Sequence, residues 1–295
     1  MKLQSNAAED QGMPASLTDI DLLRYAAFTD DGIGGNPAGV VLGAASLSDE
    51  SCLAVAARAG YSETAFVEES PGAREFRVRF FSPRAEVAFC GHATIATAVA
   101  LAQCHGAGTF RFHTLAGPID VSTQPTDCGY SATLTSVPTH TRPATDDEVS
   151  AALEALRWNA GDLDPNYSPH VAYGGNEHLV LAAVDRVRLA ELDYDYPRLD
   201  SLMSRHGWTT LQLVHAHGPL LFSSRNPFPP GGVVEDPATG AAAAAFGGYL
   251  RTLGLVDLPA RVTMLQGHDM GRPSRLILDL THDDRVQVTG AATII

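Results

Sequence analysis

The sequence predicts an α+β chain folded as two similar lobes, each a run of strands followed by a buried helix whose N-terminus faces a shared cleft. Three observations carry that expectation. At 295 residues and 45% hydrophobic composition, the chain suffices for one large domain or two lobes of ordinary size. Two helices rich in small residues begin after polar or Pro-containing loops: Cys90-Gly91-His92-Ala93-Thr94 opens the first, and Asp236-Pro237-Ala238-Thr239-Gly240 leads into the second. A glutamate also stands just before an apolar strand in each half, in Ser62-Glu63-Thr64-Ala65-Phe66-Val67 and in Asn176-Glu177-His178-Leu179-Val180. A degenerate duplication accounts for this order and spacing.

Residues 1–17 are polar and mixed and read as a disordered tail. The N-terminal lobe then spans 18–137. Positions 22–28 and 38–42 read as strands on either side of the tight loop Gly32-Ile33-Gly34-Gly35-Asn36-Pro37. Ser48 opens a helix that runs through Ala59 with a periodic apolar face and ends at Gly60. Strands follow at 62–67 and 75–81, and a Pro-containing loop leads to the first small-residue helix, which extends through Ala102. A linker is expected at 136–145, where Pro138 and Pro143 interrupt the pattern, ahead of an acidic-start helix at 146–156. In the C-terminal lobe, 138–283, a strand at 220–223, a Pro/Gly-rich loop at 226–232 and a helix at 241–250 repeat the order. The segment 284–295, with a strand at 286–289, is a candidate to complete the first lobe.

Composition removes several classes of function. The 34 acidic against 20 basic residues give a formal charge of -14, which disfavours nucleic acid or an anionic membrane as partner. No apolar run approaches the roughly 20 residues of a spanning helix. Cys52, Cys90, Cys104 and Cys128 form no Cys-x-x-Cys motif, and a reduced cytoplasmic location is expected. The only lysine is Lys2, so Schiff-base and pyridoxal-phosphate chemistry lack their buried amine. Neither a Gly-x-Gly-x-x-Gly fingerprint nor a phosphate loop is present, and no cofactor is expected.

An anionic small molecule stays open as a partner, because helix N-termini make a local pocket positive in a negative protein. Unpaired backbone N–H groups at Gly91–Ala93 and Gly240–Ala242 can bind a carboxylate or a developing enolate-like charge, and glycine permits close approach. A glutamate enclosed in an apolar cleft is lifted by desolvation toward the operating pH, where a carboxyl both accepts and donates a proton.

Six segments then carry a family resemblance: Gly35-Asn36-Pro37-Ala38, Ser62-Glu63-Thr64-Ala65-Phe66, Phe81-Ser82-Pro83, Phe89-Cys90-Gly91-His92-Ala93-Thr94, Glu235-Asp236-Pro237-Ala238-Thr239-Gly240, and Gln266-Gly267 with Gly271-Arg272-Pro273-Ser274. In this order they resemble the motifs of the PhzF-like isomerases of phenazine biosynthesis, relatives of diaminopimelate epimerase. The resemblance covers nearly the whole chain from about Leu22. It implies the diaminopimelate-epimerase-like fold, each lobe a curved, mostly antiparallel sheet wrapped around a central helix, and usually a homodimer. It also implies that Glu63 is the proton-shuttling acid/base and that His92 and Asp236 line the substrate. The expected catalytic set is therefore Glu63, His92 and Asp236, with substrate bound by Gly91, Ala93, Gly240 and Ala241 and with no metal.

Two departures bear on the substrate. Ala241 stands where the phenazine-type members usually carry serine, removing a hydroxyl that could hold a carboxylate. Diaminopimelate epimerase needs a cysteine at each helix mouth, whereas here the first has Cys90 and the second Asp236. A silent metabolite-binding protein and a Cys90-dependent amino or hydroxy acid racemase stay open as alternatives. Simpler roles stand beside the functional ones: His92 and Asp236 as helix caps, Cys90 as a small packing residue, Asn36 as a turn residue, Arg272 in an ion pair, and His215 with His217 as a surface pair.

Overall fold

The computed structural model describes residues 20–295 apart from 71, 73 and 128; the expected tail at 1–17 lies outside the described residues. Among the described residues, seventeen strands and six helices alternate. The first half contains β1 (Leu23–Thr29), β2 (Asn36–Leu42), α1 (Asp49–Ala59), β3 (Thr64–Glu69), β4 (Glu75–Phe81), β5 (Glu86–Val87), α2 (Gly91–His105), β6 (Gly108–Thr114), β7 (Gly117–Thr126) and β8 (Gly129–Thr135). The second contains β9 (His140–Pro143), α3 (Asp146–Leu156), β10 (His170–Tyr173), β11 (Glu177–Ala182), α4 (Arg186–Ala190), α5 (Tyr196–His206), β12 (Trp208–Gly218), β13 (Leu221–Pro227), β14 (Glu235–Asp236), α6 (Gly240–Thr252), β15 (Ala260–Gln266), β16 (Ser274–Leu280) and β17 (Val286–Ile294).

Local chemistry explains the sharp boundaries. The Ser48 hydroxyl accepts from the Ser51 N–H to start α1, and Gly60 closes that helix at φ 71°. Thr145 and Glu148 form a reciprocal capping box that starts α3 at the expected residue. The proposed linker at 136–145 is not plain coil: His140–Pro143 pairs with β10 as the short strand β9. Four residues ending in proline carry too little periodicity to announce a strand.

Pairing closes the first eight-stranded ring in the order β1, β2, β3, β4, β6, β7, β8, β17 and back to β1. Only β2–β3 and β4–β6 are parallel, because helices α1 and α2 cross between them. The second half repeats the pattern, with β10–β11 antiparallel, β11–β12 parallel, β12–β13 antiparallel, β13–β15 parallel, and β15–β16–β17 antiparallel. Strand β17 pairs with β8 and β1 as well as β16, so the two halves share it.

The closed ring surrounds α2, and the second sheet curves around α6. Residues 92–102 of α2 and 242–250 of α6 are all buried, which requires a helix apolar or small on every side. Small residues let strands approach: a Cβ on Gly174, at the β10–β11 turn, would lie 2.6 Å from the Ala245 amide nitrogen and 2.7 Å from the Ala241 carbonyl. One continuous core encloses α2 and α6, while α3 and α5 cover the outside of β11 and β12, and α1 covers β2 to β4.

Register also corrects the expected repeat. Arg79 on β4 forks Glu86 through Nε (2.7 Å) and Nη2 (2.8 Å), and Arg225 on β13 forks Glu235 in the same way (2.9 and 2.5 Å). Phe66 pairs with Arg79 and Leu213 with Arg225. Counting back along β3 and β12, the counterpart of Glu63 is Thr210, and Glu177 opens the counterpart of β2. Likewise Cys90 matches Thr239, His92 matches Ala241, and Asp236 matches Val87.

Candidate active site

Glu63 stands immediately before β3, where its backbone carbonyl accepts from the Gly39 N–H of β2 at 3.2 Å. That bond fixes the chain beside the mouth of α2. The Glu63 Oε2 lies 3.4 Å from His92 Nε2 and 3.5 Å from Cys90 Sγ. Cys90 Sγ is also 3.3 Å from His92 Nδ1, and the Ser62 hydroxyl is 3.3 Å from His92 Nε2. Cys90 and His92 are buried, whereas the Glu63 side chain keeps 22% of its surface exposed. The carboxylate thus sits at the solvent edge of a buried thiol and imidazole.

His92 does not cap α2. Cys90 occupies the cap position in extended backbone and makes no side-chain cap bond. Burial pushes the Cys90 thiol well up, the Glu63 charge adds to this, and the Ala93 N–H turned toward the sulfur opposes it. Of the expected first-mouth donors, Ala93 therefore faces the thiol, and Gly91 opens outward with nothing within 4 Å of where a Cβ would be.

At the second mouth the expected cap is also replaced. Thr239, not Asp236, is the cap residue of α6, and it makes no side-chain cap bond, so the N–H groups at Gly240 and Ala241 have no hydroxyl above them. Asp236 lies three residues earlier on β14. Its Oδ1 accepts from Asn36 Nδ2 at 2.8 Å and its Oδ2 from the Thr239 hydroxyl at 2.5 Å. Burial raises the Asp236 carboxyl above the usual carboxylate range; the His92 charge and the two hydrogen bonds oppose the rise, and Glu63 reinforces it. These couplings join the two mouths electrostatically.

Several contributors were not on the expected list. Asn36 does more than make a turn, since its amide bridges Asp236 and the Ala238 carbonyl (3.0 Å). Gln266 clasps the same turn, donating to the Asp236 carbonyl at 2.8 Å and accepting from the Thr239 N–H at 3.2 Å. Arg272 donates to the Gly35 carbonyl at 3.1 Å. Gly34, at φ 72°, lies against Pro273, so close that a Cβ would sit 2.2 Å from the proline carbonyl. Phe28 adopts φ 61° at a bulge in β1, and its ring lies over Gly240. The Gly34–Pro37 loop and the Gln266-Gly267 and Gly271–Ser274 motifs pointed to these segments, but not to their partners.

Among the described residues, Glu63, Cys90 and His92 form the only cluster of three metal-type donors, all within 4.8 Å of one another. His215 and His217 lie with rings 5.1 Å apart, but each is engaged elsewhere, by the Ala183 carbonyl and the Ser223 hydroxyl. A separate groove of about 810 Å3 runs along α3, lined in part by Val149, Leu153 and Trp158, and shares no residue with the helix mouths. No helix among the described residues is long and apolar enough to cross a membrane.

The profile of the phenazine biosynthesis-like proteins matches residues 25–295. The chain belongs to the PhzC-PhzF family. An uncharacterized isomerase of Deinococcus radiodurans is 33% identical over 92% of this chain and 93% of its own length. The uncharacterized isomerase YddE of Escherichia coli O157:H7 is 30% identical over 91% and 94%. A Bacillus anthracis PhzF-family protein superposes with TM-score 0.83 at 23% identity, covering 94% of this chain and 97% of that one. A probable proline racemase from Agrobacterium radiobacter K84 superposes with TM-score 0.65 at 13% identity, covering 94% and 91%. These two share the fold. By family the enzyme is a PhzF-like isomerase, and its fold is the sheet-rich PhzF and proline-racemase type.

Proposed function

We propose that the chain isomerises or epimerises a small carboxylate-bearing metabolite by acid/base proton transfer without a cofactor. The observation that carries this reading is the Glu63 carboxylate, held 3.4 Å from His92 beside a helix mouth that no side chain caps. Two lobes, 18–137 with 284–295 and 138–283, flank the cleft, a division the repeated strand pairing supports.

Glu63 takes a proton from a carbon made acidic by a neighbouring carbonyl or conjugated system and returns it to another position or face. Free N–H groups at Gly91 and His92, and at Gly240 and Ala241, hold the substrate carboxylate and the charge that builds up during transfer. His92 orients Glu63, and Asp236, carrying its proton more readily than an exposed carboxyl, offers a polar contact without repelling an anion. Ala241 leaves the second mouth with backbone donors only, which favours a substrate whose carboxylate is read by N–H groups rather than by a hydroxyl.

A panel of small unsaturated or α-amino carboxylic acids, incubated with the purified chain in deuterium oxide and read by mass spectrometry, tests this. Cofactor-free deuterium incorporation into one member is expected. Exchange that appears only on adding a cofactor sinks the reading. We further propose that the chain acts as a homodimer; a monomer mass by light scattering at assay concentration overturns that part.

A further inference from the structure

We propose that Glu63, Cys90 and His92 together bind a thiophilic divalent cation, with Zn2+ the best match. The Oε2, Nε2 and Sγ atoms stand at the corners of a triangle with edges of 3.4, 3.5 and 3.8 Å. A tetrahedral zinc with bonds of about 2.0–2.1 Å to N and O and about 2.3 Å to S has ligand-to-ligand edges of about 3.3–3.6 Å. Two edges match one face of such a tetrahedron, and the Sγ–Nε2 edge exceeds it by about 0.2 Å. The sulfur stands beside the imidazole, nearer Nδ1 than Nε2. Ligation therefore requires the imidazole to turn about its Cβ–Cγ bond so that the Nε2 lone pair faces the ion.

Donor type and charge point the same way. Sulfur with imidazole selects zinc, cobalt or copper over magnesium or calcium. Binding replaces the Cys90 S–H bond with an S–metal bond and releases the proton to solvent, while Glu63 and His92 contribute lone pairs; nothing is oxidised. Thiolate and carboxylate balance the two positive charges. Burial holds the free thiol protonated, so the charge of the ion itself must displace that proton, helped by the Ala93 N–H turned toward the sulfur. Glu63, the member with exposed surface, gives the ion its way in and leaves a fourth position for water. Because the ion occupies Oε2, loading removes that oxygen from any proton transfer.

The test needs no substrate. Titrating the intact protein with Co2+ is expected to give one equivalent bound, a thiolate-to-cobalt charge-transfer band in the near ultraviolet, and loss of that band on adding Zn2+. Cys90→Ser is expected to abolish the band, and Glu63→Gln and His92→Ala each to weaken binding by about tenfold or more. His217→Ala should leave affinity unchanged, and circular dichroism reports whether each variant is folded. Absence of the band at millimolar Co2+, its survival in Cys90→Ser, or unchanged affinity in folded Glu63→Gln and His92→Ala overturns the site.

Discussion

Asp236 has its carboxyl lifted by burial, so between the ordinary carboxylate pKa and the raised one the folded chain holds a proton that the unfolded chain has lost. Stability attributable to this group is present at low pH and falls as pH rises through that window. Asp236→Asn removes the dependence: its stability relative to the parent should increase from about pH 4 upward and level off above the folded pKa. Urea melts across pH check this, and a difference that is flat with pH contradicts it. Cys90 gives a second expectation at the same scale. With its thiol pushed up and buried, it should alkylate far more slowly at neutral pH than the exposed Cys104, as peptide mass mapping would show. Equal rates would mean that the α2 mouth opens readily.

The elements that present these residues are held by paired Arg–Glu forks, one at the foot of each central helix. The Arg225–Glu235 pair is nearly sealed, with side chains 10% and 4% exposed, so removing one partner strands a buried charge. Arg225→Ala should cost about 3–5 kcal/mol in denaturant unfolding. Arg79→Ala, whose partner Glu86 is 23% exposed, should cost less, roughly 1–3 kcal/mol. Equal losses would show that burial does not set the difference. Gly174→Ala tests the packing of α6 directly, since its Cβ would press on the Ala241 carbonyl, and a loss of about 1–3 kcal/mol is expected. The sequence made helices legible because their signals are local: the Ser48 and Thr145 caps, and the small-residue runs of α2 and α6. The forks were not legible, because Arg79 and Arg225 find their partners through strand register. The same gap separates Glu177 from Glu63: each adjoins an apolar strand in the sequence, but Glu177 opens β11 while Glu63 precedes β3, and only pairing distinguishes the two strands.

Across the whole molecule, β17 and the continuous core around α2 and α6 tie the two halves together. Thermal unfolding should therefore run as one cooperative transition, and deleting 286–295 should unfold both halves; two separate transitions would contradict the shared strand. The order of strands and central helices was visible in the sequence, as was the placement of a helix N-terminus after each of the two loops. The cross-chain contacts of Asn36, Gln266 and Phe28 were not, because each joins segments far apart in the chain. Under the proposed proton transfer, the fold serves to hold one carboxylate, Glu63, at the α2 mouth. With any carboxylic acid that gains deuterium from the solvent, the exchange rates of the parent, Glu63→Gln and Cys90→Ser decide it. Loss of exchange in a folded Glu63→Gln, with exchange retained in Cys90→Ser, is the predicted result. Undiminished exchange in Glu63→Gln would contradict the account.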